Sequence, residues 1–138
     1  MRKTDILEVT SRKLAPFILM FGFYVVSYGH LSPGGGFQGG VVLASAIVLL
    51  FLCHDTELIK RYIPVRIFII IEASAFMLFL IMGMLGLFLE GHFMAIFLPV
   101  VRDGEIPAAS YILIMNFIIG LKVGAGISLI CYYLFRKD

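Results

Sequence analysis

Two residues in this chain carry an unscreened charge into an apolar run. Glu72 sits five residues inside the segment 67–89, and Lys122 stands near the middle of the segment 109–135. A carboxylate takes up and releases a proton or attracts a cation, whereas an ammonium is a donor only. In hydrocarbon either one costs about 2.5 to 3.5 kcal/mol on insertion scales, so each calls for a partner or a function. Two readings stand for both: a station on a proton or cation path, or an ion pair that orients helices or meets a neighbouring subunit. By helix rise Glu72 lies roughly 8 Å nearer the cytoplasmic side than Lys122, within reach if the third and fourth helices pack together. His30, at the outer end of the first apolar run, is either a proton relay or a helix-end cap. Asn116 is a polar amide inside the fourth run and is expected to bond across helices.

The elements that must hold these residues are legible in the composition. The chain has 138 residues, of which 61% are hydrophobic, and its mean hydropathy is +1.03. Charged residues make up 14%, against about 25% in soluble domains. Four apolar segments, 14–31, 37–53, 67–89 and 109–135, approach or reach the roughly 17 to 25 residues of a membrane-spanning helix. None alternates polar and apolar residues as a barrel strand does. The sequence therefore predicts an all-α polytopic protein, one membrane domain over 1–138 with four transmembrane helices. The first apolar run is too long for a signal peptide and is expected to stay as a span. A short interfacial helix is predicted over 4–13, with Asp5 as its cap and Glu8 three residues on. Nine basic residues flank the runs on one side, from Arg2 to Lys137, and only Arg102 falls on the other. That asymmetry predicts two cytoplasmic termini.

The stretch "GHLSPGGGFQGG", 29–40, joins the first two runs. Pro33 is expected to stop the first helix. Gly34, Gly35, Gly36, Gly39 and Gly40 then allow a tight turn with little side-chain bulk. Small residues continue at every fourth position as Gly36, Gly40 and Ala44, and again as Gly120, Gly124 and Ser128. This spacing puts each row on one helix face and permits close backbone approach, with a helix of this chain or of another. Glu72 shares a face with Gly83 and Gly86, which favours close helix packing there.

Other chemistry finds no support in the pattern. The glycine stretch lacks the strand and helix context of a dinucleotide loop, and no Walker pattern occurs. No CxxC, haem or iron–sulfur spacing is present, and Cys53 and Cys131 read as small apolar fillers. His54 and His92 are interfacial and form no metal constellation. The chain is expected to be no enzyme by itself, to hold no metal or cofactor and to bind no nucleic acid.

The run "GHLSPGGGFQGG" followed by "VVLASAIVLLFL" resembles the MnhB/MrpB family, the small B-type components of Mrp-type multisubunit sodium/proton antiporters. "NFIIGLKVGAG", 116–126, is similar to family members as well. The resemblance implies a non-catalytic subunit among other membrane subunits in the lipid bilayer, in a complex that exchanges sodium ions for protons. It also implies an alternative, because related modules occur in ferredoxin-driven membrane-bound hydrogenase and sulfur-reductase complexes. Leu31 and Ser32 depart from the "HNAPGGGF" of many antiporter members. Asn116 and Lys122 stand where bacterial members often carry an acid nearby, a tail that looks more like the hydrogenase-associated versions. A third reading is an assembly subunit that passes no ions.

Overall fold

The computed structural model describes residues 3–29, 31, 34–54, 64–96 and 108–135. Four helices account for nearly all of them: α1 Lys3–Tyr28, α2 Gly36–Cys53, α3 Val65–Glu90 and α4 Ala108–Phe135. Each is long and apolar enough to cross a membrane, and no strand occurs among the described residues. The chain is thus an all-α, multi-pass membrane protein. In hydrocarbon this is the expected solution, because a helix satisfies its own backbone polar groups.

The N-terminal segment departs from expectation. Residues 4–13 form no separate interfacial helix; they are the first turns of one continuous helix that runs through Pro16. The proline removes a single N–H donor, opposite the Arg12 carbonyl, and the flanking helix formers carry the helix across it. Asp5, expected as the cap, lies inside the first turn, where a negative charge still suits the helix dipole. At the other end α1 stops at Tyr28, and the Leu31 N–H bonds the Tyr28 carbonyl at 2.9 Å. Pro33 lies outside the described residues. Gly91 closes α3 with φ 77°, its N–H bonded to the Leu87 carbonyl.

The helices pack in the order α1–α2–α4–α3, and α1 and α3 are not packed on each other. Leu43 meets Gly22 and Gly39 meets Val26, so α1 and α2 are antiparallel. Gly36 meets Asn116 and Gly40 meets Val123, so α2 and α4 run in the same direction. Two buried clusters hold the layer. Phe51, Phe68, Ala125, Leu129 and Tyr132 join α2, α3 and α4 near the end that carries the termini. Ala75, Tyr111, Met115 and Ile118 join α3 to α4 towards the other end. The Phe51 ring lies edge-on to Phe68, with centroids 6.5 Å apart, and 5.8 Å from Tyr132.

Candidate functional site

The glycine turn reaches α2 through backbone that only glycine adopts readily. Gly34 has φ 156°, and Gly35 has φ 150° with ψ −169°. A side chain in that region adds strain of about 1 to 3 kcal/mol. The same turn is crowded. A Cβ on Gly29 would collide with the Gly35 Cα, and one on Gly36 with the Asn116 carbonyl oxygen. Gly35 is the N-cap of α2 and has no side chain with which to cap it. Asn116 supplies the missing acceptor from α4, where its Oδ1 takes a hydrogen bond from the Gly36 N–H at 3.3 Å. This satisfies one of the four donors that every helix start leaves orphaned. The Asn116 Nδ2 is buried and has no hydrogen-bond partner among the described residues.

Below this cap the two rows of small residues face each other. A Cβ on Gly40 would lie 2.7 Å from the Gly120 carbonyl oxygen and 2.9 Å from the Val123 Cβ. A Cβ on Gly120 would lie 3.1 Å from Val26 and 3.3 Å from the Gly36 carbonyl oxygen. Ala44 and Ser128 are fully buried further along, and the Ser128 hydroxyl donates to the Gly124 carbonyl at 2.7 Å. Gly39 serves the other seam, where a Cβ would collide with Val26 of α1. Small residues thus bring α2 close to α4 on one side and to α1 on the other.

The two intramembrane charges face a different seam, between α3 and α4. The Glu72 carboxylate packs over Gly126 of α4, with Oε1 3.9 Å from where a Cβ would stand. The Lys122 Nζ lies over the Phe76 ring, 5.2 Å from its centroid. Glu72 and Phe76 are one turn apart on α3, as Lys122 and Gly126 are on α4. Glu72 and Lys122 form no ion pair within 4.0 Å. Both side chains are half-buried. A cation over an aromatic face gains about 0.5 to 2 kcal/mol, the larger value when desolvated, so Phe76 shelters the ammonium within the apolar layer.

Other sites fall elsewhere. His30 lies outside the described residues. Gly83 and Gly86 do not meet another helix; a Cβ on Gly83 would lie 2.6 Å from the Phe93 ring and one on Gly86 2.6 Å from the Ala95 N. The turn after α3 folds back on them, helped by the Met94 N–H bonding the Gly83 carbonyl at 3.3 Å. One grouping has no counterpart in the sequence pattern. His54 caps the end of α2, its side chain only 9% exposed, with Nε2 3.8 Å from Glu8 of α1. Glu8 also pairs with Arg12 at 3.7 Å. Glu8 and His54 are 46 residues apart, and no local spacing signals their meeting. Cys53 and Cys131 are free thiols.

Four apolar helices, a glycine-lined seam and two half-buried charges within the spans define a multi-pass membrane protein. Residues 6–129 match the family model described as "Domain related to MnhB subunit of Na+/H+ antiporter". The chain is similar to the B component of the Na(+)/H(+) antiporter of Bacillus subtilis (strain 168), with 35% identity over 116 residues, 79% of this chain and 80% of that one. It is also similar to the "Putative antiporter subunit mnhB2" of Staphylococcus aureus (strain Newman), with 45% identity over 76 residues, 53% of this chain and 54% of that one. The chain belongs to the MnhB family and is a subunit of a cation/proton antiporter.

Proposed function

We propose that this chain both braces its complex and handles ions, with the Glu72–Lys122 grouping in the α3–α4 seam as its intramembrane charge station. One observation carries the reading: the two charges face the same seam one helical turn apart, and they are not locked together. The Lys122 ammonium then has two resting places about 5.4 Å apart along the seam, the Phe76 ring and the Glu72 carboxylate. When Glu72 holds a proton it is neutral, and the ammonium stays over the ring. When the proton leaves, the carboxylate draws either the ammonium or an incoming cation. Sodium ions and protons, the pair in the relatives' names, are the ions assigned to this station.

The test is sodium/proton exchange in everted vesicles carrying the whole complex with Lys122→Ala or Glu72→Gln. The expected result is an assembled complex with exchange lowered at least tenfold. Normal exchange in both variants would leave the chain as a brace that passes no ions. The Asn116 and Lys122 tail also suits the same module coupled to ferredoxin oxidation. Purification of the native complex separates the two settings, because iron–sulfur or nickel–iron subunits co-purify only in the second.

A further inference from the structure

A cleft of about 140 Å3 opens between α1 and α3, which do not pack on each other. Leu19 and Phe23 form one wall, Phe68 and Ile71 the other, and Ile47 and Gly124 lie in the floor. Every lining residue is apolar or glycine. The Phe51–Phe68–Tyr132 aromatic cluster lies towards the end that carries the termini. The cleft therefore occupies the middle and the terminus-side half of the spans, the depth of one leaflet's acyl chains.

An arginine stands beyond the α1 wall of the cleft, on the side of the termini. Arg12 precedes Leu19 by seven residues, two helical turns or about 10.5 Å, and lies on the same face of α1. Helical side chains lean towards the N-terminus, which carries the guanidinium further out to the headgroup level. Its side chain is 74% exposed, and its contact with Glu8 is a long surface pair of little strength. Lys13 beside it is exposed. Apolar walls below and an exposed guanidinium above match the two ends of one kind of molecule. We infer that the α1–α3 cleft holds an acyl chain of an anionic phospholipid from the leaflet on the side of the termini, with its phosphate at Arg12. This inference does not rest on the charge station in the α3–α4 seam.

The experiment uses the whole complex in phosphatidylethanolamine vesicles containing a minor fraction of a phospholipid with a photoactivatable diazirine in mid-chain. Phosphatidylglycerol and phosphatidylcholine forms are compared, and adducts are mapped by peptide mass spectrometry. Adducts are expected on the segments carrying Leu19, Phe23, Phe68 and Ile71. Phosphatidylglycerol should label them about fivefold more than phosphatidylcholine, the factor given by about 1 kcal/mol per basic residue at a membrane surface. Arg12→Gln should lower that preference about fivefold, and Ile47→Phe, which fills the floor, should lower cleft labelling by both lipids. Equal labelling by the two lipids in the unaltered complex would overturn the inference, whatever the variants do. So would adducts confined to the outer face of α3 at Met77 and Met84, or a cleft whose walls cross-link to a helix of a neighbouring protein in the complex.

Discussion

Gly40 and Gly124 lie in the same seam, yet a methyl group would be received differently at each. At Gly40 it would press on the Gly120 carbonyl oxygen at 2.7 Å and the Val123 Cβ at 2.9 Å, both tied to the α4 backbone. At Gly124 its nearest neighbour, the Gly40 carbonyl oxygen, stands at 3.4 Å, which is ordinary contact. Overpacking a tight seam costs about 1 to 3 kcal/mol. Gly40→Ala should therefore lower the thermal midpoint of the detergent-solubilised complex by several degrees, while Gly124→Ala leaves it within about a degree. Equal losses at the two positions would mean that the seam is not as close as these distances state. Spacing alone ranks Gly40 and Gly124 equally, because a four-residue repeat marks a face but says nothing of how far the opposing backbone lies. Phe76 is hidden in the sequence for the same reason: nothing local marks a phenyl ring as the resting place of a lysine 46 residues away.

Among the described residues, α2 meets side chains from other helices at both of its ends. Asn116 of α4 accepts the Gly36 N–H at its start, and Glu8 of α1 faces His54 at its end. Leaving a buried donor without its acceptor costs about 1 to 3 kcal/mol. Asn116→Leu should destabilise the complex by that amount, measured as loss of assembled complex on mild heating. Asn116→Asp keeps an acceptor oxygen and adds negative charge at a helix start, which the dipole favours. It should retain most of the assembly that the leucine variant loses; the reverse order would show that packing volume matters more than the cap. The helices themselves are readable from hydropathy, since each run is long, uniform and bounded by charge or glycine. Their pairing is not. Neither the continuity of α1 through Pro16 nor the folding of Phe93 and Ala95 onto α3 has a periodic signal, because each depends on what packs against the segment rather than on its own pattern.

In the whole molecule α1 packs on both α2 and α4, α3 packs mainly on α4, and much apolar surface is left uncovered. Its accessible surface is 9466 Å2, against about 7,200 Å2 for a compact soluble chain of its 15.4 kDa. Large apolar side chains such as Phe17, Met20, Phe88 and Leu134 are at least 65% exposed. Lipid or other subunits must cover that surface, as membership in a multisubunit antiporter family implies. Expressed without its neighbours, the chain should be recovered in low yield, aggregate on size exclusion and exchange no ions after reconstitution. A monodisperse and transport-competent single chain would contradict this.

The bond from Asn116 to Gly36 also bears on biogenesis. The two residues are 80 positions apart, so the first hairpin emerges and enters the membrane well before its cap has been synthesised. Until the last helix arrives, the start of α2 must keep water or a chaperoning protein at its free N–H. The last helix to be inserted thus completes the turn made near the beginning of the chain.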